Sequence, residues 1–211
     1  MNMGVAERAA ERSVRDVRER AASEVRALVD AGLEVIARRG EPGLTVAEVL
    51  AEAGLSTRAF YRHFRSRDEL VLAVYEHESE RTGDRLARRV DEAPTPAAAV
   101  ETWIDETLAL ATRAGRARRT APLAAEGPRL QARFPDEFEA IVERQLEPLR
   151  QAITDGREDG TFPGAGPEAD ARAVHAVTWA AVQRILAGAS VAADEQPALR
   201  RFCLAALGGP A

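Results

Sequence analysis

Residues 54–70 read Gly54-Leu55-Ser56-Thr57-Arg58-Ala59-Phe60-Tyr61-Arg62-His63-Phe64-Arg65-Ser66-Arg67-Asp68-Glu69-Leu70. From Gly54 to Arg67 there are four arginines and no acid, in a chain whose net charge is −5. Phe60 and Phe64 stand four apart and share one helical face, whereas Thr57, Arg58, Tyr61, Arg62 and Arg65 fall on the other. One face can therefore be buried while the other meets a polyanion. Ser56 is placed to cap a helix from about Thr57 to Phe64.

Just before it, Thr45 and Glu48 have capping-box spacing and open a short helix over 46–53, which Gly54 ends. Two short helices joined by a turn that Gly opens, the second with exposed Arg and Tyr, form a helix-turn-helix pattern. Further back, Val25, Leu28, Val29, Leu33 and Ile36 recur at helical spacing and predict a helix over 23–39, with Gly40 as its stop and 41–43 as a turn. Residues 1–22 interleave Arg with Glu and Asp around few large apolars. They read as a flexible charged arm that could form a frayed helix, either a solvated tail or a basic arm tracking DNA.

After the quoted stretch, Ser66 and Glu69 repeat the capping box and begin a long fourth helix, to about Arg89. Thr95-Pro96 opens a fifth, with Gly115 as its end. Pro122, Gly127 and Pro128 predict a short helix and a bend over 116–134. Pro135 starts a long amphipathic helix, and two more follow over about 168–189 and 195–207. The expectation is an all-α chain of about nine helices: an arm (1–22), a three-helix DNA-binding head (23–67), and a helical body (68–211), which the resemblance described below makes the ligand-binding and dimerisation domain.

Composition agrees with a helical globular chain. Of 211 residues 45% are hydrophobic, 30% charged and only 5% aromatic; β-branched runs bounded by turn signals are missing. All 29 basic residues are Arg. Residues 1–67 carry 12 Arg against 10 acids and residues 68–211 carry 17 against 24, so nucleic-acid contact is expected to be confined to the head. A lone Cys203 excludes an intrachain disulfide, and no apolar run is long enough to span a bilayer. The chain is read as cytoplasmic, with no membrane partner.

The residues at 25–75 resemble the TetR-type transcriptional repressors: Leu44-Thr45-Val46 opening the second helix, Ala53-Gly54-Leu55-Ser56 at the turn, then Tyr61-Arg62-His63-Phe64 and Ser66-Arg67-Asp68-Glu69-Leu70. The likeness implies a ligand-responsive homodimer on a palindromic DNA operator. It places Thr57, Arg58 and Ala59 against base edges and Thr45, Tyr61, His63 and Arg67 against phosphates. Arginine donating two bonds to guanine is the commonest base-specific contact, and phosphate contacts fix register without reading sequence. Dimerisation is expected through the last two, Ala-rich helices.

In the body, Trp103, Thr107, Phe134, Phe138, His175, Trp179 and Gln183 supply the apolar surface and few polar groups of a small-molecule pocket. Arg113, Arg116, Arg118 and Arg119 are its one dense basic cluster, either a solvated surface or a place where one of them, Arg113 foremost, receives an acidic group of the ligand. No catalytic constellation, cofactor motif or metal site is expected. The three histidines lack ligand spacing, and Gly164-Ala165-Gly166 lacks the Lys of a phosphate loop. The alternative is a helical small-molecule-binding protein or helical-bundle enzyme whose head has lost DNA binding.

Overall fold

The computed structural model describes residues 5–39, 43–189 and 195–208. Among them are nine helices and no strand: α1 (Val5–Arg39), α2 (Val46–Ala53), α3 (Thr57–His63), α4 (Arg67–Asp91), α5 (Pro96–Thr112), α6 (Ala114–Arg133), α7 (Pro135–Glu158), α8 (Pro167–Leu186) and α9 (Glu195–Ala206). The chain divides into two compact units, Met1–Tyr75 and Glu76–Ala211. The division falls inside α4, which starts at Arg67.

In the first unit α3 packs against α1 and α2. Leu28, Leu44, Val49, Phe60 and Leu70 are fully covered. The paired phenylalanines do what their spacing implies: Phe60 is 0% exposed, Phe64 is buried, and their rings lie 5.8 Å apart. Gly32 belongs to this packing, since a Cβ there would meet Val74 Cγ2 at 2.7 Å.

Three expectations are corrected. Helix α1 begins by Val5, not Ser23, so the described part of the arm is helical. Its residues 11–20 are all exposed, and what favours the helix over 5–22 is local: no Gly or Pro, alanines at both ends of the stretch, and opposite charges three or four apart. The predicted stop at Gly40 and turn at 41–42 lie outside the described residues. Gly115 does not end a helix but sits in the first turn of α6, Arg113 having closed α5. Residues 114–133 form one helix, not a short helix and a bend. Each proline removes one backbone donor, and burial of Pro122, Leu123, Gly127 and Leu130 holds the helix together across that loss.

In the second unit α5 lies among α6, α7, α8 and α9. Its core runs from Trp103 and Ile104 through Leu146, Leu149 and Ile153 to Phe162, Val174 and Val182. Trp103 fixes the α5–α7 pairing by donating its indole N–H to the Gln145 carbonyl at 3.1 Å. The Gly160–Pro167 loop is anchored by Phe162, which is fully buried and whose N–H donates to the Gly156 carbonyl at 2.7 Å.

Candidate functional site

The head's surface is built by two capped helix starts. Ser56 Oγ accepts from the Ala59 N–H at 3.2 Å, starting α3. Gly54, at φ +65°, turns the chain out of α2 in the left-handed region that costs glycine least. With Phe60 and Phe64 inward, Thr57, Arg58, Tyr61 and Arg62 are exposed, and Tyr61 is 62% exposed, unusual for a tyrosine unless something is to cover it.

Other candidate contacts are placed differently. Ala59 is 7% exposed, so little of its methyl is open to a base edge. His63 Nε2 is 2.7 Å from Glu24 Oε2, with the imidazole only 9% exposed. Arg62 pairs with the same oxygen. Hydrogen bonds from His63, then Arg62, hold the Glu24 carboxyl below its ordinary range. One acid of α1 thus anchors the last turn of α3.

Thr45 and Arg67 are similarly engaged. The Thr45 hydroxyl donates to Glu48 Oε2 at 2.6 Å and accepts from the Glu48 N–H at 3.3 Å, and Glu48 returns to the Thr45 N–H at 2.9 Å. Arg39 bridges the same carboxylate at 2.7 and 2.9 Å. The Thr45 bonds, followed by Arg39, keep Glu48 below the usual carboxylate pKa. Arg67 Nε donates to the Leu44 carbonyl at 2.8 Å, tying the start of α4 to the start of α2. The Thr45–Glu48 box is the one its spacing implies, whereas the pairings of His63 and Arg62 with Glu24, of Arg39 with Glu48 and of Arg67 with the Leu44 carbonyl join separate segments, which no local spacing reveals.

In the body the structure gathers some of the expected pocket residues. The His175 ring lies 6.0 Å from Trp103 and stacks on Trp179 at 6.2 Å, 6° from parallel. Burial, then the charge of Arg172, lowers the His175 pKa, so the ring is neutral at physiological pH. Thr107, one turn beyond Trp103, is 3% exposed and its hydroxyl is buried with no hydrogen-bond partner. Phe134 stands at the α6–α7 corner with the Arg133 guanidinium 5.8 Å over its ring, and Phe138 packs beside Gly127. Gln183 is exposed, its α8 position turned outward while Val182 beside it is fully covered. Arg113 is also on the surface and approaches Glu106.

Two further features escaped the sequence. A cleft of about 810 Å³ runs along α4, the 93–96 loop and α7, lined by Asp84, Arg88, Pro94 and Pro148 among others. A more apolar groove of about 480 Å³ lies on α5, α8 and α9, with Val177, Ala181, Ile185, Leu199 and Phe202 along it; Phe202 is 63% exposed. Among the described residues no group of acids, His and Cys could hold a metal, and no helix is long and apolar enough to cross a membrane.

These features have counterparts in known proteins. The profile of bacterial regulatory proteins of the tetR family matches residues 28–74. The HTH-type transcriptional regulator BetI of Brucella canis is 35% identical over 71 residues, and that of Brucella anthropi 34%. The matched stretch is 34% of this chain and spans 36% and 37% of those relatives. The fold is shared more widely. RolR bound to resorcinol superposes with a TM-score of 0.69 at 21% identity, covering 91% of both chains. FadR of Bacillus subtilis with stearoyl-CoA gives 0.64 at 18%, over 86% of this chain and 96% of that one. The matched family segment lies on α1 to α4, where the two capped helices and the buried phenylalanine pair stand, so residues 28–74 of this chain are similar to the bacterial regulatory proteins of the tetR family.

Proposed function

We propose that the protein is a ligand-responsive DNA-binding transcriptional regulator: a homodimeric repressor that binds a palindromic operator in the cytoplasm and is released by a small molecule. The observation that carries this reading is the exposed start of α3. Thr57, Arg58 and Tyr61 face solvent on a helix whose opposite side is locked by Phe60. Arg58 is the base reader, through guanine O6 and N7, with Thr57 beside it. Tyr61 and Arg62 hold phosphates, and Thr45, His63 and Arg67 support them chiefly by fixing α2, α3 and α4.

Arg58→Ala should cost about 1–3 kcal/mol on an operator selected from random duplexes, and relax preference at one base pair of each half-site. Gel-shift titration against the selected site and its single-base variants measures both. Unchanged affinity and preference would sink this register of the helix.

A dimer follows from the small footprint of one head and from the groove on α8 and α9. A second copy laying its own Phe202 and Ala-rich faces there would cover surface that is costly to leave in water. Sedimentation at micromolar concentration should give a dimer. A stable monomer would remove the dimer from this reading.

The effector site is placed at Trp103, His175 and Trp179. Their rings give an apolar contact surface, and the orphaned Thr107 hydroxyl is available to a polar group of the ligand. RolR and FadR have ligands with this fold, which supports a small-molecule response here without naming the molecule.

A further inference from the structure

Glu106 of α5 is 8% exposed, and four guanidiniums surround it. Oε2 accepts from Arg116 Nη1 at 2.9 Å and lies 3.6 Å from Arg85 Nε. Oε1 is 3.9 Å from both Arg89 Nε and Arg113 Nη2, beyond hydrogen-bonding reach. A single carboxylate cannot satisfy four such forks. Arg85 Nε is buried without an acceptor. Burial, followed by repulsion from Arg116, lowers the Arg85 pKa although Glu106 and Glu78 oppose the shift.

Glu78, the other acid near Arg85, lies 3.4 Å from Arg119 and 3.7 Å from Arg81, with its Oε2 buried and making no hydrogen bond, and the acids beside Arg89 and Arg113 are engaged. Asp105 takes Gln196 at 2.9 Å and Arg200 at 2.8 Å, and Glu92 takes one nitrogen of Arg89 at 2.8 Å. Arg113 and Arg116 also stand at the positive end of α6, whose first turn contains no acid. Against the Oε1 side lies a polar cavity of about 360 Å³, lined by Arg89, Thr102, Asp105, Glu106, Thr112 and Arg113 among others. A local excess of guanidinium in an acidic body, beside an open polar space, is an arrangement short of one anion.

We propose that this cavity is a receptor for an anionic group, a carboxylate or a phosphate, with Arg113 and Arg89 as its donors and Glu106 as the buried counter-charge that holds them apart. Arg113 is the entry: its side chain is 62% exposed and its planar fork can turn from Glu106 to a bidentate ligand. Thr102 and Thr112 line the same space and offer hydroxyls. The inference rests on the ligand-responsive reading and gives the effector, or a second ligand, a negative charge.

The test uses the full chain at constant ionic strength, with succinate, inorganic phosphate and uncharged succinamide as probes in calorimetric titration and thermal melting. Saturable binding of succinate or phosphate, with a raised melting midpoint and no response to succinamide, is expected. Arg113→Gln should weaken it roughly tenfold or more, the scale of a lost charged hydrogen bond, and Arg88→Gln should not. Succinate alone binding assigns a carboxylate, phosphate alone a phosphate. If Arg113→Gln does not fold, Arg89→Gln carries the same comparison. Equal responses from wild type and Arg113→Gln, a response to succinamide, or binding of neither anion overturns the proposal. DNA binding by the unliganded chain is measured separately, so failure here leaves the regulator reading standing.

Discussion

Phe60→Ala should abolish DNA binding while leaving the body folded. The ring is 0% exposed and touches both neighbours of its own helix, Tyr61 edge-on at 5.1 Å and Phe64 at 5.8 Å. Truncating a buried phenylalanine costs about 3–5 kcal/mol, lost burial and cavity together. That is comparable with the whole stability of a small helical unit. Because α3 is only seven residues long, it cannot persist without this packing. Trp103 and Trp179 both lie in the second unit, so tryptophan fluorescence reports the body alone. The expected result is an unaltered main tryptophan transition with no duplex DNA bound. Retained DNA affinity would show that α3 does not depend on its buried face.

Gly156→Ala should destabilise the body, although alanine is the better helix former by about 1 kcal/mol. A Cβ on Gly156 would fall 2.2 Å from Phe162 Cδ2, and Phe162 is fully buried in the core. The ring cannot withdraw without disturbing its neighbours or the Phe162 N–H bond to the Gly156 carbonyl. Overpacking of this kind costs about 1–3 kcal/mol or more, which outweighs the propensity gain. Gly83→Ala is the matched comparison. It too is buried within a helix, but its Cβ would meet Arg144 atoms no nearer than 3.8 Å, so propensity should win and the variant melt higher. Denaturant titration followed by tryptophan fluorescence ranks the three chains; Gly156→Ala at or above wild type would refute the packing argument.

The parts of the fold readable beforehand were those set within a few residues. Thr45 with Glu48, Ser56 before Thr57, and Phe60 with Phe64 each act across three or four positions, and all stand as their spacing implies. The misreadings came from competition between local signals and tertiary packing. Pro122 and Pro128 are breakers in isolation, yet α6 continues because its apolar side is buried. The arm's charges suggested a flexible tail, whereas the absence of Gly or Pro lets α1 extend through it.

At the candidate site the limit was distance along the chain. Helical spacing separates an inward from an outward face but gives Ala59, at the border, no side. Glu24 is 39 residues from His63, and no motif links them. The arginines near 113–119 were visible as a cluster, whereas their shared partner Glu106, and Arg85 and Arg89 of α4 beside it, required the fold.

The central claim is that the first unit presents a working DNA-binding face on an acidic protein. Its most direct measurement is fluorescence anisotropy of a labelled random-sequence duplex titrated with the intact chain across a salt series. Clear binding is expected at low salt, with log affinity falling linearly and steeply against log salt, by on the order of a thousandfold between about 50 and 200 mM if six or so phosphates are met. Absence of binding at the lowest salt, or affinity indifferent to salt, would contradict it.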